Sequence, residues 1–130
     1  MNIRPLAKLL YGLFGTIFLA AGVGILSLRT GLLPEPGRKM ILDLAAGDLN
    51  AVHLLQEFGA MLVFAGLISF WFVRRYEQSK YFHWAMTMFW ALFALAHWYD
   101  ARGDIRSVKG PLINSIPFGL FLVVGLMRKR

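Results

Sequence analysis

The chain has 130 residues, of which 58% are hydrophobic and only 16% are charged, and its mean hydropathy is +0.58. Soluble domains carry about a quarter charged residues, so this composition indicates a single domain built for lipid. The absence of cysteine excludes disulfides and thiolate metal sites. The net charge of +7 does not indicate nucleic-acid binding, because no basic run is interleaved with aromatics as in a soluble nucleic-acid-binding module. Cations at the ends of apolar segments indicate topology and contact with anionic lipid.

Residues 6–28 form the first apolar segment, long enough to cross the hydrocarbon as a helix. Its basic start resembles a secretory signal peptide, but the apolar run is longer than the roughly 7–15 residues of a signal core, which favours a retained helix. Four small residues recur every four positions and predict a ridge for close helix packing: Gly12, Thr16, Ala20 and Gly24.

Residues 29–48 form the longest connection between apolar segments. Pro34, Pro36 and Gly37 break regular structure, and the apolar spacing over residues 38–46 predicts a short helix at the membrane interface. Asp48 is a candidate N-cap for the helix that follows.

Three further segments complete an all-α prediction: residues 49–73, 81–99 and 111–127. The charged turn at 74–80 is short enough to make its flanking helices antiparallel, and aromatic clusters mark both ends of the 81–99 segment. We expect Pro111 to start the last helix, Pro117 to kink it, and Asn114 to donate a hydrogen bond to a neighbouring helix. The sequence therefore predicts one domain, 1–130, folded as an integral membrane four-helix bundle with up-down-up-down topology.

The distribution of lysine and arginine predicts the orientation of this bundle. In the up-down-up-down arrangement, eight cations lie on the side of the two termini and six on the other side. Since cytoplasmic loops carry the excess of cations, both termini are predicted to be cytoplasmic.

Polar residues at two helix ends form the candidate functional site. His53 and Glu57 are four residues apart on one helical face, with Asn50 beside them, and the bundle topology places His97 and Asp100 at a similar depth near the external face. On the third segment, positions 83, 87, 90, 94 and 97 share one stripe. His83 is about 21 Å from His97 along that helix, so it is predicted to lie outside the site.

This cluster admits several interpretations. It can lock helices together through hydrogen bonds, or line a pocket that holds a polar headgroup of a lipid or quinone. Two imidazoles and two carboxylates are also competent ligands for zinc, iron or manganese, and His53 with His97 could ligate haem. A fourth possibility is acid–base catalysis by Glu57 and a histidine. The bilayer is the expected partner, together with a membrane-protein partner or further copies of the chain.

Residues 45–127 resemble the DoxX-like group of small bacterial four-helix membrane proteins, a family of unknown function. The resemblance is carried by Asn50 leading into a helix with Gly59 and Gly66, and by the glycine–arginine–serine–glycine–proline turn at 103–111. It implies a bacterial inner membrane and four helices, and it assigns no activity. His53, Glu57 and His97 are not among the positions that match the family pattern.

Overall fold

The computed structural model describes residues 3–30, 32–44, 49–99 and 105–128. Five α-helices occur in these ranges: α1 (Arg4–Leu26), α2 (Glu35–Leu44), α3 (Leu49–Arg74), α4 (Lys80–Tyr99) and α5 (Ile105–Met127). Short 3-10 turns follow α1 and α3, and the described residues contain no strand. The all-α prediction is therefore confirmed for the described part of the chain.

Three of the four predicted spans are apolar enough and long enough to cross a membrane: α1, residues 50–74 of α3, and residues 108–127 of α5. Large apolar side chains on these helices are exposed at the surface of the protein, among them Leu9, Phe64 and Leu126. This surface is typical of helices that face lipid, because lipid does not force apolar side chains into the interior.

The described chain separates into two compact units. The first, called here the α1–α3 unit, comprises Lys8–Arg74. The second, called the α4–α5 unit, comprises Arg75–Arg130 together with Met1–Ala7. Each unit contains an antiparallel pair of long helices.

Glycines bring the backbones of α1 and α3 together in the α1–α3 unit. A Cβ placed on Gly22 would lie 2.6 Å from the backbone oxygen of Gly59, and one on Gly66 would lie 3.0 Å from the backbone oxygen of Gly15. Only glycine fits such a separation, so these residues set the distance between the helices. Tyr11 is fully buried further along the same contact.

The ridge predicted at Gly12, Thr16, Ala20 and Gly24 is not the surface that packs within the α1–α3 unit. A Cβ on Gly12 would meet nothing within 4 Å, and Thr16 and Ala20 are exposed. Small residues occur on more than one face of α1, and the face with Gly15 and Gly22 is the one that packs. The hydroxyl of Thr16 donates to the backbone oxygen of Gly12, so it is satisfied within its own helix.

Buried polar groups join α4 to α5 in the α4–α5 unit. His83 is fully buried, and its Nε2–H donates to the backbone oxygen of Phe121 at 2.9 Å. The absence of a side chain at Gly125 gives the imidazole its room, because a Cβ there would lie 2.8 Å from Nε2. The predicted stripe on this helix is confirmed for four of its five positions: His83, Thr87, Trp90 and Ala94 are buried, whereas His97 is half-buried.

The turn between α3 and α4 is fixed by contacts within the α4–α5 unit. The Tyr76 backbone oxygen accepts hydrogen bonds from the Ser79 hydroxyl, at 2.7 Å, and from the Arg128 guanidinium. The same guanidinium lies 4.2 Å from the centre of the Tyr76 ring, a cation–π contact. Arg4 and Glu77 form an exposed ion pair at 3.4 Å. These contacts hold the charged turn that the sequence placed at residues 74–80.

Two predicted helix starts are wrong. The short helix α2 begins at Glu35 rather than at residue 38, since Pro36 is compatible with the first turn of a helix.

The last helix begins at Ile105, before Pro111, and continues through Pro117. Each proline lacks the N–H donor of its turn, and the helix nevertheless continues past both. The glycine–proline turn expected at 103–111 is thus helical from Ile105 onward; residues 103–104, like the proposed cap Asp48, lie outside the described residues.

Candidate functional site

His53 and Glu57 form the polar contact that their spacing predicts. The Nε2 atom of His53 lies 3.2 Å from a carboxylate oxygen of Glu57, and the two side chains are 71% and 61% exposed. Since α3 is continuous through its first turns, residues four apart lie one above the other on the same face. Asn50, one turn earlier on that face, is also exposed.

The positions of His53 and Glu57 do not support the interpretation that this pair joins two helices by hydrogen bonds. The contact joins two residues of the same helix, and both side chains remain largely exposed. A lock would require a partner on another helix and burial of the bond between them. Within the α1–α3 unit, the described contact of His53 and Glu57 does not connect one helix to another. Their polar atoms remain available to a molecule outside the unit.

His97 lies near the end of α4 and is half-buried. Its Nδ1 atom lies 2.9 Å from the backbone oxygen of Phe93, and its ring centre lies 4.8 Å from that of Phe93. A carbonyl oxygen only accepts hydrogen bonds, so Nδ1 must carry the proton. The described hydrogen bond of His97 is therefore made within its own helix.

Three further polar groups lie where α4 and α5 meet, close to His97. The indole N–H of Trp98 donates to the Ser115 hydroxyl at 3.0 Å. The amide nitrogen of Asn114 donates to the backbone oxygen of Gly110 at 2.9 Å. The described bond of Asn114 is thus made to a carbonyl of its own helix, as is common for asparagine in a helix, and the predicted bond to a neighbouring helix stays a prediction.

The sequence placed Trp98 in the aromatic cluster at the end of the 81–99 segment and did not predict its contact with Ser115. Their hydrogen bond is the described side-chain link between α4 and α5 at this end. A tryptophan N–H needs an acceptor when little water is present, and a hydroxyl on the facing helix supplies one. The requirement of the Trp98 N–H for an acceptor was the sequence signal that could have predicted its hydrogen bond to Ser115.

The five predicted site residues are distributed over different parts of the chain. Asn50, His53 and Glu57 belong to the α1–α3 unit, and His97 belongs to the α4–α5 unit. Asp100 lies outside the described residues. A common site of all five stays a prediction. In the part of the chain that the structure describes, no three histidine, aspartate or glutamate side chains come together as metal ligands.

No family model matches the chain, and comparisons with curated proteins and with solved structures find no match either. The resemblance to DoxX-like proteins therefore stays a prediction that depends on the residues quoted for it.

Proposed function

We propose that this chain is a four-span protein of the bacterial inner membrane that binds the headgroup of a small amphipathic ligand, a lipid or a quinone, through His53 and Glu57. The observation that carries the proposal is the exposed 3.2 Å contact between these two side chains on a helix whose following residues, 58–73, are uncharged. The role fits a free-standing binding protein as well as an accessory subunit of a membrane complex.

The α4 helix serves as the fourth span. Its polar residues His83 and Thr87 are buried, where His83 bonds to Phe121 and Thr87 to the backbone oxygen of His83. Its exposed face carries large apolar and aromatic side chains, such as Met88 and Leu92. A helix that turns its polar groups inward and its apolar groups outward suits lipid even when its average composition is less apolar.

Both termini are placed in the cytoplasm by the excess of cations on their side, eight against six. A bacterial inner membrane follows from the DoxX-like resemblance. A reporter that is active only in the cytoplasm, fused after Arg130, is expected to give a signal. Activity of a reporter that works only outside the cytoplasm would invert this topology.

The depth of the polar pair supports a headgroup site. His53 and Glu57 lie about 6 and 12 Å from the start of α3 at about 1.5 Å per residue. The uncharged run that follows, residues 58–73, is about 24 Å long, shorter than the ~30 Å hydrocarbon core. Glu57 therefore lies close to the boundary between headgroups and hydrocarbon. At that depth, a carboxylate accepts hydrogen bonds from ligand hydroxyl or ammonium groups, and the imidazole beside it is a second polar contact.

The proposal is tested by measuring which lipids and quinones remain bound to protein purified in nanodiscs, using extraction and mass spectrometry. We expect Glu57→Gln and His53→Phe to lower the retained ligand about tenfold, as loss of one charged hydrogen bond implies. Glu77→Gln is the matched control, since Glu77 is also exposed (68%) and also paired with a base. Equal retention by wild type and Glu57→Gln would contradict the proposal. Loss of a co-purifying protein instead of a small molecule would replace the ligand by a partner subunit.

A further inference from the structure

We propose that the surface formed by Arg75, Lys80, Tyr81 and Trp84, called here the turn surface, binds the phosphate headgroup of an anionic phospholipid. All four residues belong to the α4–α5 unit, and all four are exposed. The turn surface includes no residue of the polar pair on α3, so this site is separate from the one in the proposed function.

The two cations of the turn surface have no acidic partner in their unit. Glu77 is the one acidic residue in the described part of the α4–α5 unit, and its carboxylate pairs with Arg4 at 3.4 Å. No ion pair joins Arg75 or Lys80 to any residue that the structure describes. Their positive charge is therefore not compensated by the protein, and it attracts an anion.

Hydrogen bonds hold the turn that carries these cations. The Gln78 N–H donates to the backbone oxygen of Arg75 at 3.0 Å, and the Ser79 hydroxyl donates to that of Tyr76 at 2.7 Å. The Tyr76 ring is buried, and the Arg128 guanidinium lies 4.2 Å from its centre. Because the backbone is already ordered, binding of a headgroup costs little conformational entropy there.

Aromatic side chains place the turn surface at the level of lipid headgroups. Tyr81 follows Lys80 directly, and Trp84 shares a face of α4 with Lys80 because the two are four residues apart. Exposed tyrosine and tryptophan are typical of the membrane interface, where the ring contacts acyl chains and the polar end stays near water. A soluble phosphate would contact the charges alone, whereas a phospholipid contacts the rings as well. The turn surface therefore fits a phospholipid better than a soluble anion.

The short helix α2 carries a similar pair of cations without an excess of charge. Arg38 and Lys39 are adjacent in α2, and two acidic residues, Glu35 and Asp43, lie in the same helix. The two cations and two acids give α2 a formal net charge of zero. Since anionic lipid attracts uncompensated positive charge, we expect lipid selectivity at the turn surface and none at α2.

The test compares binding of phosphatidylglycerol with that of phosphatidylcholine of the same chain length. The full chain is titrated with each lipid in a neutral detergent, and bound lipid is counted by native mass spectrometry. We expect phosphatidylglycerol to bind about tenfold more tightly, and Arg75→Gln combined with Lys80→Gln to remove that preference. Equal binding of the two lipids by the wild-type chain would overturn the proposal without any variant having to fold.

Arg38→Gln combined with Lys39→Gln is the matched control, because it removes the same number of cations from α2. This variant should keep the preference for phosphatidylglycerol. An equal loss of preference in both double variants would show that total charge, not the turn surface, attracts the lipid, and would overturn the proposal.

Two further arms identify the ligand and separate this site from the proposed function. Glycerol phosphate is added as a soluble competitor, and displacement of phosphatidylglycerol at equal concentration would replace the lipid by a free phosphate and overturn the proposal. Glu57→Gln should keep the preference for phosphatidylglycerol. Loss of the preference in Glu57→Gln, with the Arg75 and Lys80 double variant unaffected, would assign the anionic lipid to the polar pair on α3 and overturn the turn surface as its site.

Discussion

The α1–α3 unit and the α4–α5 unit each hold two antiparallel helices together, and each contains a histidine on one of them. In the α1–α3 unit the backbones meet at glycines, and His53 lies on the outside with its carboxylate partner. In the α4–α5 unit His83 is fully buried and bonds to the backbone of the facing helix. The same side chain is thus a packing element in one unit and an exposed polar group in the other. The facing residue decides the difference: Gly125 leaves room for an imidazole, whereas α1 and α3 are so close at Gly22 and Gly59 that only backbone fits between them.

The largest expected effect is at Gly22. A Cβ there would meet Gly59 O at 2.6 Å and Val63 N at 2.8 Å, both backbone atoms that cannot turn aside. We expect Gly22→Ala to lower the free energy of unfolding by about 1–3 kcal/mol, measured by denaturant titration in detergent, and Gly22→Leu to prevent folding.

Gly12 supplies the matched control on the same helix, since a Cβ there meets nothing within 4 Å. Gly12→Ala is expected to change the free energy of unfolding by less than about 0.5 kcal/mol. Equal destabilisation by the two alanine variants would mean that glycine contacts do not hold this unit together.

The positions of these glycines show which features of the fold could be predicted from the sequence and which could not. Composition and length were enough to predict the long helices, because about 20 consecutive apolar residues are what a membrane helix requires. They did not identify the packing face of α1, since small residues occur on several sides of that helix. The informative signal was a matched spacing: Gly15 and Gly22 are seven apart, as are Gly59 and Gly66, so antiparallel helices bring them into register.

For the candidate site, spacing predicted the His53–Glu57 contact but not its exposure. Residues four apart meet on any helix, whereas exposure depends on which face packs, and that depends on the facing helix. The orientation of His97 could not be predicted from the sequence either, because the imidazole turns to the carbonyl of Phe93 in its own helix. The start of α5 was misplaced since proline was taken as a helix start, while Pro111 lies within the helix.

A smaller effect is expected at His83. His83→Phe keeps the ring but replaces the donor N–H by C–H opposite Phe121 O, and we expect a loss of about 1–2 kcal/mol in the free energy of unfolding. His97→Phe is the control, because the His97 bond stays within one helix and its ring is half-buried. A loss for His97→Phe as large as that for His83→Phe would remove the distinction between a buried and a peripheral histidine. Thermal unfolding in one detergent compares the two variants directly.

The smallest effect is expected at Glu57, and it separates binding from packing. An exposed pair four residues apart on a helix stabilises it by about 0.3–0.5 kcal/mol, so Glu57→Gln should leave the free energy of unfolding nearly unchanged. A double-mutant cycle with His53→Phe measures the coupling between the two side chains. Coupling above about 2 kcal/mol would show that the pair is desolvated and stabilises the fold. That result would contradict the conclusion that His53 and Glu57 are exposed polar groups with no part in packing. If the coupling is small while Glu57→Gln still loses bound ligand, the polar pair does not serve stability, and binding explains why an apolar helix carries it.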